Sequence, residues 1–107
     1  MGKTIVSEDG RFEWDEEKDM LNKADHGLFF SEILPAFDDP YLLELYDEAH
    51  STLEEARFKG LAKLQDFIVL YLSYTEKATG RTRIISVRHA EPIEENAYYE
   101  WRKNFIT

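Results

Sequence analysis

The chain has 107 residues, with 22 Asp and Glu against 13 Lys and Arg, a formal charge of −9 and no cysteine. The length suits a single domain, residues 1–107, around one core, and is too short for a doubly wound dehydrogenase or a large barrel. The lack of cysteine excludes disulfides, thiolate catalysis and cysteine-held zinc or iron–sulfur centres.

Ile5-Val6 and Phe12-Glu13-Trp14 read as two short strands joined across the turn signal Glu8-Asp9-Gly10. Asp15 is placed to cap a helix in which Trp14, Lys18, Leu21, Asn22 and Asp25 fall at helical spacing, and Gly27 is placed to end it. Ser31-Glu32 opens a second short helical segment with Ile33, Leu34 and Phe37 as its apolar positions, and Asp38-Asp39-Pro40 closes it. Leu42 to Tyr46 is a short candidate strand.

The strongest strand signals follow. Arg57 to Ala62 alternates imperfectly, and Leu64-Gln65-Asp66 can turn. Phe67 to Tyr74 is a long apolar, aromatic and β-branched run suited to a central strand. After a polar connection from Thr75 to Gly80, Arg81 to Arg88 reads as another strand. Strict alternation puts Arg81, Arg83, Ile85 and Val87 on one face and Ile84, Ser86 and Arg88 on the other. Glu91 to Lys103 reads as a terminal helix, with Pro92 in its first turn and acids crowding its start. These elements predict a small α+β domain with three or four strands in one antiparallel sheet, N-terminal helices and a C-terminal helix.

Charge is unevenly spread. Ala24 to Ala56 holds nine acids and no Lys or Arg, whereas Arg57 to Arg88 holds seven basic residues and two acids. The net charge argues against a generic nucleic-acid binder, and the second stretch is either an ordinary solvated surface or a basic sheet face within an acidic protein. No segment has the length of a membrane span, and the first residues lack the apolar run of a signal peptide. Together with the missing cysteines, this fits a cytoplasmic protein.

The histidines, His26, His50 and His89, make no metal-binding spacing. Arg57, Arg81, Arg83 and Arg88 form the main basic set, joined by Lys59 on the strand of Arg57. Guanidinium groups hold phosphate oxygens and stabilise charge that develops during phosphoryl transfer. Glu54-Glu55 near Arg57 supplies either a base or an ion-pair partner for the arginine. Tyr71, Tyr74, Tyr98, Tyr99 and Trp101 either stack bases or pack the sheet and final helix. No phosphate-binding loop, dinucleotide fingerprint or serine nucleophile elbow is present.

Three blocks in this order resemble the BrnT-type toxins: FEWDEEKDMLNKADHG from Phe12 to Gly27, HSTLEEARF from His50 to Phe58, and RTRIISVRHA from Arg81 to Ala90, followed by Glu94 and Tyr98. The resemblance runs from Phe12 to about Glu100. It implies a compact ribonuclease-toxin domain similar to the RelE group, an RNA substrate, no metal and no organic cofactor. It also implies a BrnA-like antitoxin that neutralises the toxin and carries the complex to operator DNA.

Residue by residue, it implies that Arg57, Arg83 and Arg88 position phosphate and stabilise charge and that His50 is a proton-transfer candidate; it assigns no single base, and Glu55, from its place near Arg57, is the other candidate. Arg81, Lys59 and Tyr74 would contact RNA, and His26, Glu94 and Tyr98 would support the site. Asp25 stands where the family commonly has a basic residue before the His-Gly pair, and Ala62 where a glycine is common. Glu95-Asn96 replaces basic residues after Glu94. These departures remove positive charge, so a toxin-fold interaction protein with weak or absent nuclease activity is the alternative expectation.

Overall fold

A computed structural model describes residues 2–106; the first and last residues of the expected domain lie outside them. One six-stranded sheet runs through the molecule. Its strands are β1 (Thr4–Val6), β2 (Phe12–Asp15), β3 (Leu43–Tyr46), β4 (Arg57–Gln65), β5 (Ile68–Glu76) and β6 (Thr82–His89). The spatial order is β1-β2-β6-β5-β4-β3. Helix α1 (Glu16–His26) follows β2, two short 3-10 turns occupy Phe30–Glu32 and Leu34–Asp38, and α2 (Pro92–Arg102) ends the fold. Among the described residues, no helix is long and apolar enough to cross a membrane.

The expected sheet of three or four antiparallel strands is corrected in two respects. Six strands form it, and β2 runs parallel to β6 with Trp14 opposite Ile84. The short candidates at Ile5-Val6 and Leu42 to Tyr46 are both strands, β1 and β3, of three and four residues, and they join the sheet at its two edges. Nothing local could have announced the parallel pair, because its strands lie far apart in the chain and no tight turn dictates their relative direction.

The first face of the sheet carries the main core. Phe12, Trp14, Leu70, Leu72, Tyr74, Ile84 and Val87 meet Phe30, Ile33 and Ala36 from the 3-10 turns. Phe30 and Ile33 are fully buried, and each such side chain contributes roughly 1.5–3 kcal/mol. Gly60 in β4 makes room for the Tyr74 ring: a Cβ there would lie 3.1 Å from the ring edge. On the second face, Tyr98 of α2 packs against Leu61 and Val69. Its hydroxyl donates to Asp39 at 2.6 Å, and the same Asp39 oxygen accepts the Lys63 amide at 2.8 Å. One carboxylate thereby fastens both α2 and β4.

The helix boundaries follow their sequence signals. The Asp15 side chain accepts the Lys18 amide at 3.0 Å, and Gly27 adopts φ 75° to close α1. Glu91 and Glu94 form a capping box at the start of α2.

Strand β6 departs from regular alternation. Tyr74 pairs with Ile84 and Ser73 with Ser86, leaving Ile85 as an extra, unpaired residue. Ile84 and Val87, three residues apart, therefore both enter the first-face core. Pairing with β2 stops at Ile84, and α1 takes over the exposed strand edge. There the buried Asn22 accepts the Val87 amide at 3.0 Å and donates to the Leu28 carbonyl at 2.9 Å. Replacing Asn22 with Ala strands both backbone groups, and the expected loss is about 2 kcal/mol of unfolding free energy. Urea denaturation of wild type and Asn22→Ala measures it, and equal midpoints would refute the bracing role.

Candidate active site

The unpaired Ile85 brings the basic residues together. Arg57 lies opposite Thr75, which lies opposite Arg83; Lys59 lies opposite Ser73; and Tyr71 lies opposite Arg88. These positions alternate with the core-facing Leu70, Leu72 and Tyr74, so all share the second face. Arg83 and Arg88, assigned to opposite faces by strict alternation, are on the same one.

Each cation is held by a carboxylate of the same chain. Arg88 makes a bidentate pair with Glu94 at 2.8 and 2.9 Å, and its guanidinium sits 4.1 Å from the Tyr71 ring centroid. Lys59 approaches the same ring at 5.0 Å. Arg83 pairs with Glu13 of β2. Arg57 donates to Glu55 at 3.0 Å, and Lys77 reaches the other Glu55 oxygen at 3.2 Å.

His50 lies on the turn between β3 and β4. Asp47 caps that turn and contacts the His50 Nδ1 at 2.9 Å, while Lys59 lies 3.8 Å from the same Asp47 oxygen. Ser51 ties the turn down: its hydroxyl donates to the Asp47 carbonyl at 2.7 Å and accepts the Arg57 amide at 2.9 Å. Asp47 contacts His50 through Nδ1 while the side chain stays largely exposed, a pairing that orients an imidazole for acid–base work.

Titration tendencies follow these contacts. Desolvation raises the Asp47 carboxyl, but the His50 bonds and the Lys59 charge outweigh it and hold the group below its ordinary value. Hydrogen bonds from Arg57 and then Lys77 hold Glu55 low, which makes it a weaker proton acceptor. The Arg88 hydrogen bond holds Glu94 low as well.

Other expected site residues lie elsewhere. Tyr74 is corrected: it is 2% exposed, packed on Phe37 and Phe58 in the first-face core, with its hydroxyl donated to Glu44. It has no face free for a base. Burial, then the Glu44 contact, pushes its phenol far up. Tyr98 is fully buried and serves as the α2 anchor. His26 ends α1 and lines a separate cleft of about 210 Å³ with Lys18, Asn22 and Ser86. Arg81 precedes β6, with its Nε buried and without a hydrogen-bond partner among the described residues.

Two participants escaped the sequence, Asp47 and Glu13, while Tyr71, read as stacking a base or packing the sheet, is the platform under Arg88. Asp47 had a local signal, standing three residues before His50. Glu13 had none, since Arg83 is 70 residues away. Among the described residues, no group of three or more His, Asp or Glu is placed to hold a metal ion.

The mixed sheet flanked by N-terminal and C-terminal helices makes a compact α+β domain. A family model described as "Ribonuclease toxin, BrnT, of type II toxin-antitoxin system" matches residues 14–94, and the chain belongs to that family. Among solved structures, it is similar to the 1.1 Å crystal structure of the Brucella abortus ribonuclease toxin BrnT, with 22% identity and a TM-score of 0.55. The match covers 73% of this chain and 92% of that one. No curated protein matches.

The Arg88–Glu94 pair predicts an acid-sensitive contribution to stability. A carboxyl held below its ordinary 4.5 stabilises the fold above that value and loses the contribution as pH falls through its folded value. Glu94→Gln keeps a capping side chain but removes the charge. Thermal unfolding should show the variant less stable than wild type at neutral pH, with the gap shrinking well below pH 4.5. A pH-independent gap would assign the effect to packing instead.

Proposed function

We propose that this chain is a metal-independent endoribonuclease toxin, cytoplasmic and neutralised by a BrnA-like antitoxin. The observation that carries the proposal is the convergence of Arg57, Lys59, Arg83 and Arg88 on one sheet face beside the Asp47-oriented His50. Family membership supplies the reaction class.

In the proposed reaction, a ribose 2′-oxygen bonds to the adjacent phosphorus while the bond from phosphorus to the 5′-oxygen breaks. His50 accepts the 2′-hydroxyl proton, water protonates the 5′-oxygen as it leaves, and His50 then returns its proton to the resulting hydroxide. The arginines and Lys59 neutralise charge on the non-bridging oxygens. Glu55 is the poorer choice of base, because its two cations hold its proton affinity down. The products are a 2′,3′-cyclic phosphate and a 5′-hydroxyl. Operator DNA would be reached through the antitoxin.

The pairing of every one of these four cations with an internal carboxylate favours a second reading, a toxin-fold interaction protein with weak catalysis. One assay separates the two. Antitoxin-free, folded protein should cleave cellular RNA in the presence of EDTA and leave cyclic-phosphate ends. Arg83→Ala and Arg88→Ala should each lower kcat/KM by about 10²–10³-fold, and His50→Gln should lower kcat more than it raises KM. Failure of wild type to cleave refutes the nuclease. Full activity in the arginine variants removes those residues from the site.

A further inference from the structure

Beside the cation face, a groove of about 460 Å³ opens between the sheet edge and the start of α2. Leu43 and Leu45 of the edge strand β3, Leu61 of β4, and Ile93 and Ala97 of α2 line it. Leu45 is 57% exposed and Ile93 76% exposed, so two large aliphatic side chains face solvent across one concavity. Aliphatic walls offer a nucleobase few hydrogen-bond partners, but they suit the apolar side chains of a peptide.

The surroundings set the charge of the occupant. Asp47, Glu48 and Glu94 stand in the groove lining with Lys59, which Asp47 holds, while Arg88 beside it holds Glu94 and lies 3.8 Å from Glu91, so acids outnumber cations around the groove. Glu91 is exposed at the start of α2, one turn before Glu94. A polyanion would meet repulsion here, whereas a segment carrying Lys or Arg around an apolar stripe matches both the walls and the rim.

We propose that this groove seats a basic, amphipathic segment of a protein partner. Identifying that partner as the antitoxin rests on the functional proposal above; the docking surface itself does not depend on RNA cleavage. Because Lys59, Tyr71 and Glu94 belong to both the groove and the cation face, the occupant would cover one end of that face.

The test uses three probes: a short amphipathic Leu/Lys peptide, its Leu/Glu counterpart and a single-stranded RNA oligonucleotide. Each is titrated into the whole chain and read by backbone amide shifts. The Leu/Lys peptide should shift amides of Leu43–Glu48 and Ile93–Ala97, and the Leu/Glu peptide should not. Leu45→Asp and Ile93→Asp alter exposed residues and should each weaken binding at least about tenfold, while Phe67→Asp, on the distant β4–β5 turn, should leave it unchanged.

The sign is diagnostic, because an added carboxylate would strengthen a merely electrostatic attraction of the basic peptide. Unchanged or tighter binding by the two groove variants overturns the proposal. So does equal binding of both peptides, or a shift by RNA of the Leu43 and Ala97 amides, which belong to the groove and not to the cation face. None of these readouts uses turnover, so an inactive chain that still binds the Leu/Lys peptide refutes the nuclease and leaves the groove assignment standing.

Discussion

Five positions separate Arg83 from Arg88, and a regular strand would send these two side chains to opposite faces of the sheet. The unpaired Ile85 cancels that alternation. The same insertion lets Ile84 and Val87 both enter the core, although they are three residues apart. Core packing and the cation face are thus two results of one backbone irregularity. The irregularity sits where β2 leaves β6, and the Asn22 side chain there receives the Val87 amide. A bulge breaks the regular ladder, so it persists where another group satisfies the strand's polar atoms and flanking side chains reward the altered register. Both conditions are met here, by α1 on one side and by the first-face core on the other.

The second face is basic in composition but balanced in detail. Glu13, Asp47, Glu55 and Glu94 each hold a cation on it. Thr75, between Arg57 and Arg83, and Ser73, between Lys59 and Ser86, are buried, so these pairs lie over a floor largely closed to water. The pairs fix where the guanidinium groups sit, and they also place a competitor at each position where a phosphate would bind. Partly exposed ion pairs of this kind are individually weak, typically about 0–1 kcal/mol, which leaves them exchangeable for a more highly charged anion. Affinity of this face for a polyanion would therefore fall steeply with salt and depend on displacing carboxylates as well as on attracting phosphate.

Much of the local architecture was legible in the chain. Asp15, Gly27 and Pro92 mark helix boundaries through capping and backbone geometry, which act within a few residues. The apolar runs of β5 and β6 announced strands for the same local reason. Features set by distant contacts were not legible. The parallel alignment of β2 with β6 and the Arg83–Glu13 pair depend on chain segments about seventy residues apart. The continuous apolar run through Tyr74 hid which face each residue takes, so Tyr74 read as a surface aromatic while its ring fills the space above Gly60. The bulge was invisible because Arg81 to Val87 alternates acceptably in either register. The ordered family blocks carried the class of protein, and the geometry added which of their residues meet.

The net charge of −9 acquires a spatial meaning from the turn between β3 and β4. Asp47 on that turn orients His50 and holds Lys59, and it also stands in the lining of the apolar groove. Glu94 likewise clamps Arg88 from the opposite wall of that groove. The acids nearest the cations therefore belong to two surfaces at once. A basic segment entering the proposed groove would be drawn by the same carboxylates that position the cation face, and would lie against Tyr71, on which Arg88 and Lys59 rest. Occupation of the groove and binding of a polyanion then exclude each other by shared contacts. No change of fold is required for one to oppose the other, because the sharing is built into four side chains, Asp47, Lys59, Tyr71 and Glu94, that belong to both surfaces.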